Sequence, residues 1–301
     1  MIITQDFDAL PQKPRVFALG NFDGVHRGHQ ALLSHAVNLA RQQQGAAIAM
    51  GFNPHPLAVL GQTVETITTE RDKQRLFARL GLDAYFALPF NKEVAKMTPA
   101  DFVQQVLIEQ AKVAAVVVGF NYSFGRKAAG TPEYLQQTLG DQGVPVHVIP
   151  PVIHEGAPVS STRIRQCLRA GDLCTVEALL GRPYSITGVV QLGDQRGRHL
   201  GFPTANLYGL EGLALPPFGV YAAEIVGLGI GMANLGVRPT FPQSGATLEV
   251  HIFDFTGDLY GQELEVRLLK HIRPEQHFAS GTELKRQLSL DEEQIRALLK
   301  F

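Results

Sequence analysis

The chain has 301 residues, 45% hydrophobic and 18% charged, with a formal net charge of −1. That is ample apolar material for two packed domains, and the balanced charge excludes a global field favouring DNA, RNA or a membrane surface. The N-terminal stretch is free of any long apolar run and no segment has the uninterrupted apolar length of a membrane span, so a mature cytoplasmic protein is expected.

In chain order, Arg15 to Leu19 reads as a short buried strand, and His29 to Gln43 has helical spacing with Leu32, Leu33, Ala36 and Leu39 on one stripe. Ala46 to Phe52 is strand-like, Glu70 to Leu80 helical and Asp83 to Leu88 a strand. Thr98 reads as an N-cap with Pro99 at the first helical position, and Phe102, Val103 and Val106 form the inner stripe. Ala114 to Val118 is a β-branched run fit for a central parallel strand, followed by a helix from about Pro132 and a strand from Val144 to Ile149. This alternation predicts a doubly wound parallel α/β sheet with helices on both faces, which binds ligands beyond the carboxyl ends of its strands.

Past Pro150 and Pro151 the pattern changes. Helices over Thr162 to Ala170 and Leu173 to Leu180 lead to Gly181-Arg182-Pro183-Tyr184, where the boundary is placed: residues 1–182 form one domain and 183–301 the other. Cys167 and Cys174 lie in this helical stretch without CxxC spacing and are expected to be free packed thiols. Strands over Ser185 to Leu192, Val220 to Val226, Gly231 to Leu235, Leu248 to Phe255 and Glu263 to Leu269 suggest a small antiparallel β-barrel, and a terminal helix spans about Thr282 to Leu299.

The run Gly20-Asn21-Phe22-Asp23-Gly24-Val25-His26-Arg27-Gly28-His29 joins the first strand to its helix. Backbone N–H groups and the helix dipole favour an anion there, Gly24 and Gly28 allow close approach, and imidazole donors can stabilise charge developing on a triphosphate. Taken alone, a Gly-rich turn with two surface histidines explains the motif equally well; a zinc site lacks the ligand count. Ser160-Ser161-Thr162-Arg163-Ile164-Arg165 opens another helix as a second anion cradle. Phe52-Asn53-Pro54-His55-Pro56 and Gly119-Phe120-Asn121-Tyr122-Ser123-Phe124-Gly125 each follow a strand and are candidate pocket walls or core.

Together and in this order, these segments resemble the nucleotidyltransferase domain of prokaryotic FAD synthetases. The resemblance implies that His26 and His29 bind ATP phosphates and stabilise the departing pyrophosphate, with Asn21, Phe22 and Gly24 in the same nucleotide loop. It further implies that Asn121 contacts the nucleotide, that Ser161, Thr162 and Arg165 hold the triphosphate, and that Phe52, Pro54 and Phe124 line the flavin side. Gly51 departs from the family's common Thr or Ser, and Arg163 is an additional basic residue.

In the second half, the segment from Gly193 through Arg198, Gly201, Phe202, Pro203, Thr204, Ala205 and Asn206 combines glycines that admit phosphates with hard neutral oxygens suited to Mg²⁺. Alone it reads slightly better as a flexible basic surface loop. With Phe218 to Ala223, Asn234 to Phe241, Leu248 to Asp254, Asp258 to Gly261 and Ile272 to Glu275 following in order, it resembles the riboflavin kinase module. The resemblance implies phosphate contacts at Gly193, Arg198, Gly201 and Pro203, Thr204 and Asn206 as Mg²⁺-ATP ligands, Glu249 as general base, and Arg273 in a flap over the substrates.

The expected function is therefore that of the bifunctional riboflavin kinase/FMN adenylyltransferase family: ATP-dependent conversion of riboflavin to FMN, then of FMN to FAD and pyrophosphate. The expected partners are small molecules, with flavoproteins as clients and no nucleic acid or membrane. Three other nucleotide motifs fail. Gly125 to Thr131 lacks the P-loop Lys-Ser/Thr, Gly227, Gly229 and Gly231 lack a following helix, and no protein-kinase HRD or DFG set is present. The rivals are a flavin-binding protein without turnover and an adenylyltransferase for another acceptor, such as pantetheine phosphate or nicotinamide mononucleotide.

Overall fold

The computed structural model describes residues 1–59, 61, 63–192, 201–237 and 245–299. The chain divides into two compact units, Met1–Ser161 and Thr162–Phe301.

Unit 1 is built on six strands: β1 (Ile2–Thr4), β2 (Arg15–Leu19), β3 (Ala46–Asn53), β4 (Ala84–Pro89), β5 (Val113–Gly119) and β6 (Val146–Ile149). Their spatial order is β1-β4-β3-β2-β5-β6, and every pairing is parallel. Side chains alternate across the sheet. Phe17, Leu19, Ile48, Met50, Val116 and Val118 enter one core, and Val16, Ala18, Ala47, Ala49, Ala115 and Val117 the other. Helices α1 (Arg27–Gln42), a short α2 (Pro56–Val59) and α3 (Glu70–Arg79) lie between β2 and β4 in sequence. Leu32, Leu33 and Ala36 of α1 and Phe77 of α3 pack on the small-residue face. A helix beginning at Pro99 (α4) and α5 (Pro132–Gly140) supply Phe102, Val103, Val106, Leu135 and Leu139 to the other face. The doubly wound sheet expected from the alternation is present.

Thr98 caps α4 in a capping box with Asp101: its hydroxyl accepts from the Asp101 N–H while the Asp101 carboxylate reaches back. From Phe102 to Gln110 the helix widens to π geometry, closing with Ala111 N–H donating to the Val106 carbonyl at 2.8 Å. A small hairpin, β7 (Ile153–His154) and β8 (Ala157–Pro158), precedes α6 (Ser161–Ala170).

Unit 2 holds α7 (Leu173–Leu180) and a closed barrel of β9 (Tyr184–Gln191), β10 (Ala205–Leu207), β11 (Gly219–Ile225), β12 (Gly229–Val237), β13 (Ala246–Ile252) and β14 (Glu263–Arg273). The barrel order is β10-β13-β12-β11-β14-β9, with β9 returning to β10 and all pairings antiparallel. Gly231 fits where β12 and β13 approach closely: a Cβ there would collide with the His251 carbonyl oxygen. Helix α8 (Gly281–Leu299) seats Ile295 among Val220, Ala222, Met232 and Phe253. Because α7 packs against β9 and β14, the residues between 162 and 182 group with the barrel, and the compact unit changes earlier in the chain than Arg182.

Both cysteines are free, as expected, but they are not both packed: Cys174 is exposed. Helix α7 turns Leu173, Val176, Leu179 and Leu180 inward, which leaves Cys174 outward.

Candidate functional sites at the strand ends and in the barrel

Strands β2 and β5 are neighbours whose following connections leave in opposite directions, so the crevice beyond their carboxyl ends is the topological switch point of unit 1. The loop after β2 is backbone-strained. Phe22, Gly24 and Val25 take φ values of 53°, 79° and 40°, and a β-branched residue at positive φ is uncommon. Partners on other segments fix the loop. The Asp23 carboxylate accepts from the Ile67 N–H at 2.8 Å and the Thr68 N–H at 3.4 Å, while the Thr68 hydroxyl accepts from the Gly24 N–H at 3.2 Å. Ser161 donates its hydroxyl to the Asp23 carbonyl at 2.9 Å, tying the second sequence motif to the first.

His26, 6% exposed, is the N-cap of α1, and its Nδ1 accepts from the His29 N–H at 3.2 Å. The two imidazoles stack at 3.6 Å between centroids and 16° between planes. Gly28 leaves clearance for this pair, since a Cβ would stand 3.1 Å from His26 Cε1. His29 is held well below the ordinary imidazole range, first by burial of its ring, then by repulsion from His26 and from Lys73. Its ring is therefore neutral at physiological pH, a hydrogen-bonding dipole rather than a fixed cation, beside the positive end of the α1 dipole.

Asn21 and Asn121 are exposed, on the loops after β2 and β5. A Cβ at Gly119 would stand 3.5 Å from Asn121 Oδ1 and 3.9 Å from Leu32 of α1, so the loop after β5 begins beside α1. Phe52 lies partly buried at the end of β3, its ring 5.1 Å from Phe90, and Pro54 is exposed. Phe124 is 5% exposed and packs with Phe102, Tyr122 and Tyr134, so most of its ring serves the core. Thr162 and Arg165 lie on the first turns of α6, within unit 2. At Gly51, a Cβ would stand 3.1 Å from the Tyr85 hydroxyl. The neighbouring strand thus brings a hydroxyl to the place where this sequence lacks one.

In unit 2 a cavity of about 580 Å³ is walled by Pro203, Thr204, Asn206, Val250, Asp258 and Tyr260, among others. Asn206 is 4% exposed, and its amide donates to the Thr204 carbonyl at 3.3 Å, which orients the side chain. His251 Nδ1 bonds the Pro203 carbonyl at 2.8 Å and fixes the entry to β10. Glu249 stands opposite Asn206 on one side and Asn234 on the other. Directly opposed residues in antiparallel strands share a face, so these three polar side chains project together. Glu249 is not itself part of the cavity wall. The Arg273 guanidinium holds Asp291 of α8 at 2.8–3.0 Å, an anchoring contact that the flap reading does not include. Gly201 is exposed with φ 91°; Gly193 and Arg198 lie outside the described residues.

Sequence reasoning missed Lys73, Glu70 and Tyr85 in unit 1, and left Asp258 and Tyr260 as motif members without a role. Glu70 and Lys73 pair at i,i+3 on α3; the signal is the burial of Lys73, which arises from tertiary packing.

An FAD synthetase family model matches residues 9–163 and a riboflavin kinase family model residues 180–299. A protein of Escherichia coli K12 named bifunctional riboflavin kinase/FMN adenylyltransferase is 38% identical over 288 residues, 94% of this chain and 92% of that one. One of the same name from Bacillus subtilis is 35% identical over 292 residues, again 94% and 92%. A crystal structure from Streptococcus pneumoniae described as a macrolide-efflux protein superposes with a TM-score of 0.85 at 34% identity over 98% of each chain. Among the described residues no helix is long and apolar enough to cross a membrane. With both family models matched in order along one chain and relatives aligned nearly end to end, this protein belongs to the bifunctional riboflavin kinase/FMN adenylyltransferase family.

Proposed function

We infer that the chain phosphorylates riboflavin to FMN in the barrel unit and adenylylates FMN to FAD at the switch point of the parallel sheet. The observation that carries this reading is the succession of an FAD synthetase match and a riboflavin kinase match along one chain. The kinase module makes the flavin phosphate that the first module consumes, which argues against adenylylation of a different acceptor.

The two reactions ask different things of the protein. In the first, the ribityl 5′-hydroxyl of riboflavin attacks the γ-phosphorus of ATP, its proton passes to the Glu249 carboxylate, and ADP departs. The register of Glu249 with Asn206 supports this role. Thr204 and Asn206 present hard neutral oxygens at the cavity wall and are the residues that would hold Mg²⁺, which supplies charge neutralisation on the phosphoryl oxygens when bound. Gly193, Arg198, Gly201 and Pro203 are proposed as phosphate contacts, and Arg273 as a flap residue, on the sequence motifs. In the second reaction an FMN phosphate oxygen attacks the α-phosphorus of ATP, the bond to the β-phosphate oxygen breaks, and pyrophosphate leaves with the electron pair. The attacker is already an anion, so no protein base is needed. His26, His29 and Ser161 position and stabilise the phosphates, with Asn21, Phe22, Gly24, Asn121, Thr162 and Arg165 as further ligands and Phe52, Pro54 and Phe124 on the flavin side.

The boundary between the chemical modules is placed at residues 182/183, supported by the start of the kinase match at residue 180. The proposed setting is the cytoplasm, with flavoproteins as recipients of the products. Chromatography of products from the full chain with riboflavin, ATP and Mg²⁺ tests the reading: FMN should appear first and FAD after it. Binding of riboflavin without either product would leave a flavin-binding protein instead.

A further inference from the structure

Among the described residues of unit 1, His29 Nδ1, Glu70 Oε1 and the Tyr85 hydroxyl are buried without a well-formed hydrogen bond, and the Glu70 carboxylate and the Tyr85 hydroxyl act on one another. They belong to one cluster around Lys73. That lysine is 8% exposed, its Nζ is 2.7 Å from Glu70 Oε2, and it lies 5.3 Å from the centroid of the Tyr85 ring. Helix α3 carries Glu70 and Lys73 and packs against the Asp23–Val25 turn. A chain of rings runs from the histidine pair to the same place: His29 to Phe22 at 5.4 Å, Phe22 to Phe77 at 5.6 Å, Phe77 to Tyr85 at 5.2 Å. Tyr85 ends this chain with its hydroxyl at the root of the loop, 3.1 Å from a Cβ built on Gly51. Burial, and then the Glu70 carboxylate, push that hydroxyl far above the ordinary phenol range, so it keeps its proton.

An ion pair withdrawn from water contributes little net stability compared with apolar residues of the same volume. Its charges do act on their neighbours through a poorly screening medium. His29 contacts the His26 ring from the start of α1 and the Phe22 ring from the loop; Lys73 of α3, paired with Glu70, acts on it through its charge, and Tyr85 on β4 is connected to it through Phe77 and Phe22. We propose that Lys73 is a positioning residue for adenylyl transfer, and that with Glu70 and Tyr85 it fixes the place and the charge of the His29 imidazole. The proposal rests on the reading that His29 works on the phosphates. Lys73 opposes protonation of His29, while Glu70 neutralises Lys73 beside the core.

The test uses the full chain and three variants: Lys73→Met, Lys73→Arg, and Glu70→Gln with Lys73→Met. Two quantities are read for each, the His29 imidazole titration by NMR and the pH profile of kcat for FAD formation from FMN and ATP. In Lys73→Met the opposing charge is gone and Glu70 remains. His29 should titrate at higher pH, and the acid limb of kcat should move with it; at a fixed pH on that limb, kcat falls about tenfold for every pH unit the midpoint rises. KM for FMN should change less than kcat, and Lys73→Arg should restore both the titration and the acid limb. The double variant leaves no lone buried charge, and its titration should move in the same direction by less. Folded variants in which the titration and the acid limb coincide with those of the parent would overturn the proposal. So would loss of the fold in the double variant, because the pair would then be structural. If the parent itself makes no FAD from FMN, the functional reading fails, and the His29 titration still reports on the electrostatic coupling.

Discussion

The roles proposed for Glu249 and His29 concern attackers of opposite character, and this decides what each residue must be. A ribityl hydroxyl is neutral and must lose a proton as it attacks, so a carboxylate helps; a flavin phosphate has no proton to lose. Glu249→Gln keeps the shape at the Asn206–Glu249–Asn234 level of the barrel and removes the proposed base. FMN formation should fall by roughly 10²–10⁴, while riboflavin affinity, measured by fluorescence quenching on the same sample, should hold near the parent value. Near-normal turnover would remove Glu249 from the mechanism. The local parts of both proposed sites are visible in the sequence as patterns. His26 at the N-cap, Ser161 at the start of its helix and Thr204-Ala205-Asn206 at a strand edge are short-range patterns with a physical reason to bind phosphate. Lys73 and Tyr85 are not legible, because their burial is made by α3, β4 and the loop together. The sequence shows that Gly51 lacks a hydroxyl, but not that Tyr85 of the adjacent strand brings one to that spot.

At the scale of elements, the final helix is held by one concentrated polar contact. Asp291 is 1% exposed and accepts two bonds from Arg273 Nε, one from Arg273 Nη2 and one from Gln287 Nε2. Breaking a buried pair by deleting one partner leaves the other charge uncompensated, at a cost of about 3–5 kcal/mol. Asp291→Ala should lower the denaturant midpoint of unit 2 accordingly, read by far-ultraviolet circular dichroism. An unchanged midpoint would show that Ile295 and its apolar neighbours alone seat α8. Elements with strong periodicity or clear caps form where the sequence indicates: β2 over Arg15–Leu19, α7 over Leu173–Leu180, and the Thr98 cap. The short strands β1 and β10 and the β7–β8 hairpin leave no such trace. At two or three residues they have no alternation to detect, and neighbouring strands define them through register. The π turns of α4 are likewise invisible, since a one-residue widening leaves Phe102, Val103 and Val106 on the buried side.

At the scale of the whole molecule, the change from β-α alternation to closely spaced strands indicates both fold classes. It does not indicate the strand orders. Placing β4 and β3 on one side of β2 and β5 on the other is a non-local choice, and it creates the switch point where the histidine loop sits. The residues between the family matches illustrate the same limit: a turn at Gly181 suggests a boundary, but only packing shows that α7 lies against β9 and β14. The central claim is that two chemistries occupy two sites in one chain, and it is tested most directly by crossing one variant from each. Both half-reactions are measured on folded preparations of His29→Ala and Glu249→Gln. His29→Ala should lose FAD formation from FMN by about 10²–10³, the usual consequence of deleting one preorganised donor to a developing phosphate charge, and should keep FMN formation near the parent rate. Glu249→Gln should show the reverse pattern. Loss of the same half-reaction in both variants, or equal loss of both half-reactions in either, would contradict the assignment of the two activities to separate sites.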